Sequence, residues 1–204
     1  ALLVTDFIQG QFALIVRISV VIFLMFTFDW EIIMEALRSV PQNKSMLSPY
    51  KQSEIGDFSV QFFLMFAFMK FYTFMAWQGS QGYFSSAKNP HEAKMAGILG
   101  VWRSIMTDFT LVLAPVIAFI VFHHVAYSAD ADAIQASLNT ISDPQVQVQM
   151  RTPLTLVHFL PVGMIGLFAA MAIAAAVSTD DTYLHSWGSI FVQDVLLPFK
   201  KKKL

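Results

Sequence analysis

Four long apolar stretches, at about 7–28, 58–84, 100–124 and 156–179, constrain this chain more than any other feature. Crossing the hydrocarbon core of a bilayer takes roughly 20 helical residues, and each stretch meets that length. Backbone polar groups cannot stay unpaired in lipid, so long apolar spans of this kind fold as helices. The last stretch keeps its helical pattern to about 196. The expected fold class is therefore an all-α membrane protein with four transmembrane helices. With 56% hydrophobic and only 13% charged residues in 204, one water-soluble core could not hide this surface.

The segments between the spans are of three kinds. A turn-rich stretch containing Pro41, Asn43, Ser45, Ser48 and Pro49 follows the first span. A short polar linker, 85–96, joins the second to the third. A longer segment with Asp130, Asp132, Asp143 and Pro144 precedes the fourth, and its run 131–141 has the pattern of a short amphipathic helix on the membrane surface. Near the span ends, Lys88, Lys94, Arg103 and Lys200 to Lys203 fall on one side, while Arg38, Lys44, Lys51 and Arg151 fall on the other. Seven against four places the N-terminus, the 85–96 linker and the C-terminus in the cytoplasm. The expected location is the plasma (inner) membrane.

Some classes are excluded early. A net charge of −1 without a basic stripe gives no footprint for nucleic acid. Zero Cys removes disulfides, thiolate metal sites and cysteine nucleophiles together. Asp180 and Asp181 are adjacent, so their side chains point about 100° apart and cannot share a proton as a catalytic pair. The expectation is a protein that is not an enzyme.

Polar residues inside spans carry the functional signal, because an ionisable group at mid-depth is costly and faces a partner or a water-filled path. Asp6, Gln9, Ala13 and Arg17 lie on one stripe of the first span, with Asp6 near the cytoplasmic end and Arg17 roughly 16 Å higher. Lys70, Thr73, Trp77 and Gln81, with Gln78 beside them, form a second stripe opposite Phe and Met. Lys70 could equally snorkel or pair with a carboxylate for structural reasons. Arg103, Thr107 and Asp108 lie in the first turns of the third span, where an interhelical ion pair is expected.

The fourth span is rich in small residues, among them Gly163, Gly166, Ala169, Ala170 and Ala172, which allow close approach by neighbouring helices. Ala175, Ser178 and Thr179 then stand at i, i+3 and i+4, a carbonyl and two hydroxyls suited to a weakly held hard cation. The alternative is that the hydroxyls merely bond back to the preceding helical turn.

The stretches VTDFIQG at 4–10, SSAKNPHEAKMAG at 85–97 and LPVGMIGLFAAMAIAAAVSTDDTYLHS at 160–186 resemble, in order and spacing, the sodium:solute symporter family, relatives of the sodium–glucose, proline and pantothenate carriers. The resemblance implies a leucine-transporter-like inverted-repeat fold, of which residues 1–204 are a partial core covering core helices five to eight. It implies a sodium site including Ala175, Ser178 and Thr179, completed by a core helix outside this chain. Asp6 and Asp181 match positions on the sodium exit path. Lys70, Thr73, Trp77 and Gln78 fall in the substrate-lining region, and a basic Lys70 would suit a carboxylate-bearing solute. The Gln-Arg pair of many members is replaced here by Gly82, Tyr83, Phe84 and Ser85, so sugar ligands do not transfer.

The implied function is sodium-coupled symport of a small solute, with Na+ as coupling ion and the solute, the lipid bilayer and the remaining transporter helices as partners. A symporter-like sensory membrane module of a signalling protein is the alternative. A kinase or regulatory segment in the same polypeptide would distinguish it.

Overall fold

A computed structural model describes residues 2–40, 59–76 and 86–200. Among them there are helices and no strand. Helix α1 (Leu2–Thr27) is followed by α2 (Trp30–Ser39), α3 (Val60–Ala76) and α4 (Pro90–His123). A 3-10 turn, Val125–Tyr127, leads to α5 (Ser128–Leu138), α6 (Pro144–Phe159) and α7 (Val162–Ile190). Helix α7 continues through a π turn, Phe191–Leu196, and a last helical turn, Leu197–Phe199.

Among the described residues, three helical stretches are long and apolar enough to cross a membrane: Val4–Thr27, Pro90–His123 and Val162–Phe199. They match the first, third and fourth apolar stretches of the sequence. Of the second, α3 supplies 17 described residues, and 77–85 lie outside the described residues.

Local chemistry explains the element ends, including those the sequence pattern misplaces. The third span begins at Pro90, so the 85–96 linker is shorter than expected. Asn89 accepts the Glu92 N–H at 2.9 Å, and Pro90 and Glu92 occupy the first turn, where a missing donor costs nothing and negative charge meets the helix dipole. The last span begins at Val162, not near 156. Leu160 precedes Pro161 and is held extended (ψ 138°), which ends α6 and lets α7 start afresh. Residues 156–159 thus belong to α6. The amphipathic helix expected over 131–141 is observed as α5, three residues earlier at both ends.

Helix α2 lies in a stretch that turn residues dominate by eye. Its N-cap is nonetheless strong, since Asp29 accepts the Glu31 N–H at 3.0 Å, and Ile33, Ala36 and Leu37 form a buried stripe.

Helix α1 is the centre of the packing. Ala13, Val16, Val20 and Leu24 follow three- and four-residue steps down its buried face, which meets both α4 and α7. At one end of this bundle Phe28, 1% exposed, touches the rings of Tyr127 and Phe159 at 5.2 and 4.9 Å. Edge and tilted ring contacts of this kind add about 0.5–1.5 kcal/mol each to simple burial. Helices α5 and α6 close the same end, with Ile134, Leu138, Leu156 and Leu160 joining the core.

These contacts fix helix directions. Asp6 of α1 meets Ser178 of α7 at one end while Phe28 meets Phe159 at the other, so α1 and α7 are antiparallel. Gly10 lies beside Arg103, and Glu35 of α2, the helix that follows α1, faces His124, just after α4, at 3.9 Å. Helices α1 and α4 therefore run the same way.

Candidate functional site

The polar stripe of α1 faces protein, as its spacing predicts. Ala13 is buried, and Asp6, Gln9 and Arg17 are half-buried. The partner face of α7 runs through Met164, Phe168, Met171, Ala174 and Ser178, at helical steps of three and four. Where the two stripes meet, the Ser178 hydroxyl donates to Oδ1 of Asp6 at 2.8 Å, joining residues 172 apart in the chain. Charge-assisted bonds of this type are shorter and stronger than neutral ones.

The three residues expected to form half of a cation site are divided by this packing. Ser178 turns toward α1, whereas Ala175 and Thr179, about 100° around the helix from Ala174 and Ser178, are exposed. Thr179 donates its hydroxyl proton to the Ala175 carbonyl at 2.8 Å, the back-bonded arrangement that the sequence left open. One turn on, Thr182 does the same to the Ser178 carbonyl at 2.9 Å. Asp181 is half-buried, one turn beyond Ser178.

Each hydroxyl gives its proton to an oxygen, so its lone pairs stay available to a cation. The donor set of carboxylate, hydroxyls and carbonyl is hard and oxygen-only, which suits an alkali or alkaline-earth ion better than a transition metal.

Two neighbours complete the geometry on α1. Gln9 Oε1 is buried with no hydrogen-bond partner among the described residues. Gly10 makes room for the Arg103 guanidinium, since a Cβ there would lie 2.9 Å from Nη1. Arg103 thus lies against α1, and the interhelical ion pair expected of it is not found among the described residues. Its importance was not legible in the sequence, because a glycine on a polar stripe does not say what fills the space.

The other expected group is not brought to this point. Lys70 and Thr73 are exposed on α3, with the Lys70 ammonium 5.1 Å from the Phe66 ring centre. Trp77 and Gln78 lie outside the described residues. Helix α3 packs extensively against no other described helix, so its stripe, expected to line an interior, is uncovered among the described residues. A shallow groove of about 710 Å³ beside Trp30, Glu31, Glu35 and Arg38 lies on α2, away from Ser178.

A second polar cluster, absent from the sequence reading, occupies the opposite end of the bundle. His158 Nε2 contacts Asp130 Oδ1 at 2.9 Å, and His124 Nδ1 accepts the Ala126 N–H at 3.2 Å while its Nε2 faces Glu35. Tyr127 sits among these groups, and burial, then the charges of Asp29 and Asp130, hold its phenol above the usual tyrosine range.

Among the described residues, fold and site together define an all-helical arrangement with three helices able to span a membrane and a carboxylate–hydroxyl contact between two of them. No protein-family model, curated protein or solved structure matches this chain.

Proposed function

We propose that the chain is part of a sodium-coupled symporter for a small solute, set in the plasma (inner) membrane with the C-terminus cytoplasmic and belonging to the sodium:solute symporter family that its motifs resemble. The observation that carries this reading is the Ser178–Asp6 contact, which joins the hydroxyl of the proposed sodium-binding segment to the carboxylate of the proposed exit path.

An inverted-repeat core is part of the same proposal, and the geometry supports its four crossings. Since α1 and α4 run in the same direction, the chain between their facing ends must recross the bilayer, and α3 is the apolar helix that lies in that connection. The exposed Ala175 and Thr179 then present their oxygens to a helix outside this chain.

On this reading sodium is a co-substrate. It enters along its gradient, with each charge gaining about 2.3 kcal/mol per 100 mV of membrane potential. Neutral oxygens from Ala175, Ser178 and Thr179 bind it weakly enough for release, and Asp6 and Asp181 draw it toward the cytoplasm. Lys70, Thr73, Trp77 and Gln78 line the solute path.

Radiolabelled sodium binding to the purified transporter tests the site. Replacing Ser178 and Thr179 together by Ala should raise the half-saturating sodium concentration about tenfold, equivalent to about 1.4 kcal/mol. Unchanged sodium binding would remove both residues from the coupling site.

A further inference from the structure

Two guanidiniums share one layer between α1 and α4. Arg17 stands near the middle of the Val4–Thr27 stretch and is half-buried, while Arg103 is exposed on α4 with its guanidinium against Gly10. Gly10 and Arg17 are seven residues apart, about two turns along one face of α1. Helical side chains lean toward the N-terminus, so Arg17 leans toward the turn where Arg103 rests. Their like charges are near enough to act on each other.

Among the described residues, no carboxylate forms an ion pair with either group. The ion pairs found there join His124 to Glu35 and His158 to Asp130, at the opposite end of the bundle. Asp108 lies about 140° around α4 from Arg103. Asp6, one turn before Gly10, is the acid of α1 and accepts the Ser178 hydroxyl. A guanidinium does not shed its proton in proteins, so two of them between membrane helices require a counter-charge.

Charge and donor chemistry define what fits. Two arginines and one carboxylate leave the layer with a single positive charge, which one monovalent anion cancels and a dianion would reverse. Thr107, one turn beyond Arg103 on the same face of α4, is half-buried and adds a hydroxyl donor. Oε1 of Gln9, next to Gly10, is buried without a hydrogen-bond partner among the described residues, as expected where a water in the shell of a bound ion belongs. The exposure of Arg103 leaves such an ion a route of exchange.

We propose that Arg17, Arg103 and Thr107 bind one chloride-sized monovalent anion between α1 and α4, beside Gly10. The site follows from the packing of these two helices and holds whether or not sodium is carried.

The purified protein, in detergent free of acidic lipid, is titrated with N-methylglucamine chloride against the gluconate salt at constant ionic strength, so that sodium plays no part. The melting temperature should rise saturably with chloride alone, and the chloride NMR line should broaden and be restored by bromide. R103Q should raise the half-saturating chloride concentration about tenfold or more. G10A keeps both charges but places a methyl group 2.9 Å from Nη1, so it should weaken chloride binding too while the protein still folds. R151Q, in α6 at the other end of the bundle, should leave the titration unchanged. A wild-type melting temperature and line width indifferent to chloride overturn the proposal, and are the result if an acidic side chain of another helix neutralises the pair. Chloride binding unaltered in R103Q and G10A overturns it as well, because the anion then sits elsewhere.

Discussion

Tyr127 shows how much one side chain can connect. Its ring bridges Phe28 and Phe159, and burial first, then the charges of Asp29 and Asp130, disfavour its phenolate. The folded phenol keeps its proton at higher pH than the unfolded one. Stability is therefore full below the ordinary tyrosine pKa of about 10 and falls as pH rises through the higher folded value. Y127F retains the ring contacts and removes this titration, so melting curves in detergent between about pH 9 and 12 should show a shallower alkaline loss than wild type. Identical profiles would mean that Tyr127 ionises alike in both states. None of this was legible from sequence, because Asp29 and Phe28 lie about a hundred residues away from Tyr127. Asp6 and Gln9 were legible, since a polar stripe on an otherwise apolar span has to face protein or water.

At the scale of elements, ends are set by chemistry within a few residues. Asp143 accepts the N–H groups of Gln145 and Val146 at 2.8 and 3.4 Å at the start of α6, with Pro144 in the first turn. Removing that cap in D143A should cost about 1 kcal/mol and speed amide exchange in the first turn of α6, while α1 and α7 keep their protection. D143N should restore most of it. Unchanged exchange in D143A would show that tertiary packing alone holds this helix end. The spans were readable from hydropathy, but the break at Leu160–Pro161 was not placed correctly. Apolar residues run through it, and the pre-proline restriction outweighs the hydropathy pattern there. Helix α2 was missed because its cap at Asp29 stands at the edge of a turn-rich stretch that draws attention first.

For the whole molecule, the parallel course of α1 and α4 and the antiparallel course of α7 imply which ends share a side of the membrane. The loop end with α5 and α6 should face out, and the start of α4 should face the cytoplasm. A membrane-impermeant thiol reagent applied to intact cells should label S137C in α5, and S86C before α4 only after permeabilisation. Labelling of S86C alone in intact cells would invert the topology and with it the proposed direction of sodium exit.

The sequence by itself determined that the chain is helical, with stretches long and apolar enough to span a membrane, and which residues share each helical stripe, because hydropathy and the 3.6-residue period are local properties. Tertiary structure decided how each helix is rotated and which helix it meets. That rotation turns Ser178 to Asp6 and leaves Thr179 exposed, sets Arg103 on Gly10, and joins His158 to Asp130. Such pairings depend on the packing of side chains far apart in the chain, and no local pattern encodes the angle at which two helical surfaces come together.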